Sequence, residues 1–147
     1  MAANVSFIKL SSRAIAPSYG SSSAAGADLY ALLDADISIE PGETIMIHTG
    51  IAMEIPEGYV GLIYARSGLA CKRNLAPANK VGVIDSDYRG ELIVALHNHG
   101  NTKQTIVCGE RIAQLVITPY LTANFIESTS LSDTDRGEGG FGSTGRT

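Results

Sequence analysis

The residues best placed to do chemistry lie in Gly82-Val83-Ile84-Asp85-Ser86-Asp87-Tyr88-Arg89-Gly90. Two carboxylates, a phenol and a guanidinium fall within five residues, bounded by glycines. An apolar run from Val81 to Ile84 leads in and another from Leu92 to Leu96 leads out, the pattern of two strands joined by a polar corner. A polar corner on a rigid sheet can hold a general base still. Asp85 and Asp87 are both candidates for that base, and strand alternation would put both on one side.

Four further segments carry polar groups in suggestive company. In Ala25-Gly26-Ala27-Asp28-Leu29, one carboxylate sits among small and apolar residues, which is costly unless it is paired. An arginine such as Arg66 is the default partner, with support of a metal as the alternative. Ala65-Arg66-Ser67-Gly68 opens a short helix predicted over Ser67 to Arg73, with Ser67 as its cap. An arginine, a hydroxyl and a flexible backbone there could hold an anion. Gly109-Glu110-Arg111-Ile112-Ala113-Gln114-Leu115 enters a strand with Arg111 and Gln114 as donors, for which a hairpin turn with solvated side chains is the simpler account. His97-Asn98-His99 puts two imidazoles on one side of a strand, but zinc would need further ligands. A strand end facing solvent explains them better.

The last dozen residues, Arg136 to Thr147, hold five of the sixteen glycines and one apolar residue. Such a segment cannot bury enough surface to fold alone. It is either a frayed terminus or a tail that orders over a ligand. Glycine N–H groups can converge on phosphate oxygens, Ser143 and Thr144 add hydroxyls, and Arg136 adds a guanidinium. Phe141 offers a face for a nucleobase, worth roughly 1–3 kcal/mol. No lysine follows the glycines and no strand precedes them, which excludes a Walker A loop.

Short strands must position these groups. They are predicted over Val5–Leu10, Ala27–Leu32, Ile37–Ile39, Thr44–His48, Ile51–Ile55, Tyr59–Tyr64, Leu92–Asn98, Gln104–Cys108, Ala113–Pro119 and Asn124–Glu127. Glu40-Pro41-Gly42-Glu43 reads as a type II turn, and His99-Gly100-Asn101 as a hairpin. All five prolines fall at element boundaries, as a sheet ladder requires. Many short strands at regular spacing mean an antiparallel sandwich or barrel.

At 147 residues the chain is expected to form one domain. A hydrophobic content of 44% argues against disorder, and a net charge of −4 gives no general attraction to nucleic acid or anionic membranes. No run approaches the ~18 apolar residues of a membrane span, and the N-terminus shows no signal peptide. Cys71 and Cys108 form no CxxC pair and are expected as free thiols in a reducing, cytoplasmic setting.

Taken in order, the five segments resemble those of the trimeric dUTPases (deoxyuridine 5'-triphosphate nucleotidohydrolases). The resemblance covers essentially the whole chain. It implies an all-β, jelly-roll-like β-barrel of the β-clip type with one short helix over residues 1–128. A flexible C-terminal arm over residues 129–147 would carry the glycine-rich lid. It also implies a homotrimer with active sites shared between subunits, and no nucleic-acid or membrane partner. The implied activity is Mg2+-dependent hydrolysis of dUTP to dUMP and pyrophosphate, which limits uracil in DNA and supplies dUMP for dTMP synthesis. About twenty residues follow Glu127, enough to reach ~65 Å if extended, so one subunit's tail could close another's site.

By the same resemblance, Asp85 activates the water that attacks the α-phosphorus, and Asp87 is left as a corner residue. Tyr88 packs against the deoxyribose and excludes a 2′-hydroxyl. Asn79 and the backbone of Val81, Gly82, Val83 and Ile84 contact uracil. Arg66, Ser67, Gly68 and Gln114 match positions around the phosphates. Asp28 supports Mg2+ through water, the ion being held mainly by substrate phosphates. In the tail, Phe141 stacks on uracil, Arg136 holds the γ-phosphate, and Gly142, Ser143 and Thr144 wrap the phosphates. Ala65 departs from the proline often found there, without removing a functional group. A dCTP deaminase of the same superfamily and a catalytically silent β-rich binding module are the competing readings.

Overall fold

The computed structural model describes residues 3–140. Eleven strands and one helix follow in chain order. They are β1 (Ser6–Lys9), β2 (Ser18–Tyr19), β3 (Ala27–Tyr30), β4 (Ile37–Ile39), β5 (Thr44–Glu54), β6 (Tyr59–Tyr64), α1 (Ser67–Arg73), β7 (Leu75–Pro77), β8 (Gly82–Ile84), β9 (Glu91–Asn98), β10 (Gln104–Ile106) and β11 (Arg111–Pro119). Every pairing is antiparallel. One sheet runs β1-β5-β9-β7, a second β2-β3-β11-β6-β8, and β10 pairs with β4 in a small third. The fold is all-β and jelly-roll-like.

The core lies between the two large sheets. Ile47, Leu92, Val94 and Leu96 from one meet Leu29, Ile63, Ile112 and Leu115 from the other, all buried. Strict alternation of buried and half-buried residues along β9 shows the period-2 pattern at work. All five prolines stand at or outside strand ends, Pro77 and Pro119 being terminal residues of β7 and β11.

Several expectations need correction. Thr44–His48 and Ile51–Ile55 form one strand, β5, broken in register by a bulge between His48 and Ala52. Gly50 supplies the bulge with φ 68°, and a side chain there would strike Leu32 and Ala14. No strand forms over 124–127. Those residues are exposed, and no neighbouring strand offers them a ladder. The turn at His99-Gly100-Asn101 does not make a hairpin, because β10 pairs with β4 rather than β9. The Glu40–Glu43 turn closes as expected, with Glu43 N–H on Glu40 C=O at 3.0 Å and Gly42 at φ 76°. The short strands β2 and β7 carry too few residues to show a period.

Candidate functional site

One cluster gathers at an end of the five-stranded sheet. Register places Asp28 of β3, Gln114 of β11 and Tyr64 of β6 side by side. Beyond Tyr64 the chain turns into α1. Arg66, not Ser67, is the N-cap residue, and no side chain caps the helix; Ser67 is its first helical residue. The Arg66 side chain instead turns to Asp28, its Nε 2.7 Å from Oδ1. Arg111 Nη1 takes the other oxygen, Oδ2, at 3.2 Å. Asp28 is 8% exposed, so the pairing offsets a burial that would otherwise be costly. Gln114 donates from Nε2 to Ala65 C=O at 2.8 Å, tying β11 to the turn before α1. Gly26 leaves it room, since a Cβ there would lie 2.5 Å from Gln114 Oε1. Ser67 and Gly68 are exposed, and nothing lies within 4 Å of where a Gly68 side chain would begin.

The result is an open surface with two guanidiniums, a hydroxyl and the first N–H groups of a helix, a donor set suited to a polyanion. Arg111 is exposed, as its sequence context suggested, but it also pairs with a carboxylate, which that context did not show. A buried carboxylate has two oxygens to satisfy, and that requirement was the one sequence signal pointing to a second arginine.

Among the described residues, no three His, Cys, Asp or Glu side chains gather as a metal cage. Each Asp28 oxygen accepts one guanidinium and keeps capacity for a water. These residues therefore suit a Mg2+ held chiefly by phosphates and waters, with Asp28 in an outer role. His97 and His99 do meet, edge to face at 4.3 Å, with His97 Nδ1 bonded to Thr44 Oγ1 at 2.8 Å.

A second cluster is the corner from Asp85 to Gly90. It joins β8 of the five-stranded sheet to β9 of the four-stranded one, so it bridges sheets rather than closing a hairpin. Asp85 is exposed, and its carboxylate has no hydrogen-bond partner among the described residues; Asp87 is likewise exposed. Tyr88 folds back over Gly90 and donates from Oη to Glu91 C=O at 2.9 Å. A side chain on Gly90 would fall 2.4 Å from that hydroxyl. Arg89 reaches back to Ser86 C=O at 2.7 Å and to Glu54 at 3.3 Å. Upstream, Asn79 and Lys80 form a tight turn, with Lys80 at φ 65° and Val81 N–H on Asn79 C=O at 2.7 Å. β8 follows as an edge strand, paired among the described residues only with β6. Its outer edge keeps main-chain donors and acceptors free for a partner.

Register sets the Asp85 corner and the Asp28 cluster apart along β6. Ile84 pairs with Gly61 and Gln114 with Tyr64, three residues further along β6. At strand spacing that is about 10 Å, and Ser67 opens α1 beyond Tyr64. Asp85 steps off the opposite end.

After β11 the chain runs without regular structure to residue 140. Leu121, Phe125 and Leu131 are 97%, 94% and 92% exposed. Arg136 is exposed and donates from Nε to Gly139 C=O at 2.8 Å. Phe141, Gly142, Ser143 and Thr144 lie outside the described residues.

The family model for dUTPase matches residues 12–145. The chain belongs to the dUTPase family. A deoxyuridine 5'-triphosphate nucleotidohydrolase of Desulfitobacterium hafniense is 52% identical over 130 residues, 88% of this chain and 86% of that protein. One from Nautilia profundicola is 51% identical over 138 residues, 94% of this chain and 96% of the relative. Among solved structures, the dUTPase of Staphylococcus bacteriophage 80alpha with dUpNHpp superposes with a TM-score of 0.88 at 32% identity, over 97% of this chain and 98% of that one. A variant dUTPase from phage phi11 of S. aureus, described for its coordination of a structural Mg(II) ion, gives a TM-score of 0.79 at 27% identity, over 87% of this chain and 98% of that one.

Proposed function

We propose that the protein hydrolyses dUTP to dUMP and pyrophosphate, using Mg2+ and a water activated by Asp85. The observation that carries this reading is an open strand edge, β8, leading directly into an exposed carboxylate with no competing bond, Asp85. The edge offers uracil main-chain partners in a fixed array. Cytosine would bring an amine where a carbonyl is required, leaving donors facing donors. Tyr88 closes the sugar side against a 2′-hydroxyl, and Asn79 adds a contact to the base. Asp85, free of partners among the described residues, keeps its lone pairs for the attacking water.

The phosphates fall to Arg66, Ser67, Gly68 and Gln114, with Arg111 beside them. Mg2+ bound to the phosphates would neutralise charge as pyrophosphate leaves. Asp28 keeps the two guanidiniums side by side. Because these groups lie at the far end of β6 from Asp85, a complete site needs a second copy of the chain. This supports a homotrimer with sites at subunit boundaries. The exposed apolar side chains of Leu121 and Phe125, which lead into the arm, and of Leu131 within it support docking of this end of the chain on a neighbour. Arg136, Phe141, Gly142, Ser143 and Thr144 would then close over the nucleotide and exclude water other than the nucleophile. We assign residues 1–128 to the barrel and 129–147 to the arm. The two free cysteines suit a reducing, cytoplasmic setting.

Purified protein with Mg2+ and dUTP should release pyrophosphate and dUMP in equal amounts, and no ammonia from dCTP. Absence of pyrophosphate overturns the assignment, and ammonia from dCTP would reassign the chain to the deaminases.

A further inference from the structure

Glu91 begins β9 immediately after the Asp85–Gly90 corner. Its side chain crosses to β5 and fills the bulge there. Oε1 accepts Gly50 N–H at 2.7 Å, and Oε2 meets His48 Nδ1 at 2.8 Å. The bulge is itself held from several sides. Leu10 N–H bonds Gly50 C=O at 2.8 Å, Leu32 N–H bonds His48 C=O at 2.8 Å, and Thr49 Oγ1 donates to Leu92 C=O at 2.6 Å. Glu91 is therefore locked to a cross-braced point of the four-stranded sheet. Its main-chain carbonyl, in turn, is the acceptor for the Tyr88 hydroxyl.

No other side-chain hydrogen bond orients the Tyr88 ring among the described residues. Gly90, which lacks a side chain, lets the ring lie flat against the backbone. Without a fixed carbonyl at residue 91, the ring would be free to swing on an exposed corner.

We propose that Glu91 is a positioning residue for sugar discrimination. Its carboxylate, seated in the β5 bulge, fixes the carbonyl on which Tyr88 docks. This rests on the reading of Tyr88 as the wall against a 2′-hydroxyl. The role differs from bracing the fold in general, because it acts on one ratio, kcat/KM for dUTP over that for UTP.

The test measures that ratio on the full chain with Mg2+. Glu91→Ala should lower it about tenfold. Glu91→Gln keeps an acceptor for Gly50 N–H and a polar group facing His48, and should restore it to within about threefold of wild type. Tyr88→Phe keeps the ring and removes only the hydroxyl. It should lower the ratio as Glu91→Ala does, and it decides the matter should Glu91→Ala fail to fold. An unchanged ratio in Glu91→Ala, whatever its melting temperature, overturns the proposal, as does an unchanged ratio in Tyr88→Phe. Tyr88→Ala separates the two levels of inference. If it too leaves the ratio unchanged, the sugar reading of Tyr88 falls. If it relaxes the ratio while Glu91→Ala and Tyr88→Phe do not, only the positioning role of Glu91 falls.

Discussion

Asp28 is buried and gives one oxygen to Arg66 and the other to Arg111, while Asp85 stands exposed with no side-chain partner among the described residues. Both are single carboxylates at the edge of a polar cluster, and the fold uses them in opposite ways. A carboxylate whose oxygens both face guanidiniums has its lone pairs committed to those bonds. It is a good scaffold, since it holds two cations together that would otherwise repel. A carboxylate without partners contributes little to the fold and keeps its lone pairs for a water. Activity and architecture should therefore separate cleanly between the two positions.

The largest effect expected is at Asp85. Asp85→Asn should lower kcat by about 10²–10⁴ with no change in melting temperature. A variant that keeps its rate would remove Asp85 from the chemistry. Next comes truncation after Asp135, which removes Arg136 and everything beyond. Steady-state assays should show kcat/KM for dUTP falling at least about tenfold, while circular dichroism shows the same fold. Unchanged kinetics would exclude a lid.

At Asp28 the balance reverses. Asp28→Ala leaves two arginines without their shared acceptor and should cost about 1–3 kcal/mol in urea unfolding. Its kinetic effect should appear mainly as a raised KM for dUTP. A lowered kcat at unchanged KM and stability would make the two carboxylates alike and break the comparison.

The smallest effect concerns Glu91, which stabilises the sheet beside the Asp85 corner. Burial pushes its carboxyl up, but the bonds from His48 and from the Gly50 and Thr49 backbones outweigh it and hold the pKa below the ordinary 4.5. A lowered folded-state pKa gives stability that is present above the unfolded value and lost as pH falls through the folded one. Melting temperature should therefore decline below about pH 4.5, and Glu91→Gln should flatten part of that decline.

Much of the strand order was legible in the residues. Short apolar runs bounded by turn residues gave β6 and β9 almost to the residue, and the Pro-Gly turn closed as its residue types require. A charge among apolar neighbours announced that Asp28 needed a partner, and Arg66 is one. What stayed hidden is non-local. Nothing around Arg111 says that β11 lies against β3, so its ion pair could not be read from its own segment. The Gly50 bulge looked like a break between two strands, because a bulge and a turn share the same local signature. Phe125 and Ile126 gave a strand-like pattern over 124–127, but a strand exists only where another strand receives it. The distance along β6 between the two clusters is also a matter of register, which no single segment records.

That distance has a genetic consequence. If Asp85 serves a site whose arginine platform comes from a neighbouring copy, two different inactive chains can rescue each other. A chain carrying Asp85→Asn still offers a sound Arg66, and a chain carrying Arg66→Ala still offers a sound Asp85. Co-refolded, they should form mixed assemblies in which some sites draw one intact half from each parent. Turnover should then reappear from two dead proteins, whereas separate active centres on each chain would leave the mixture as silent as its components.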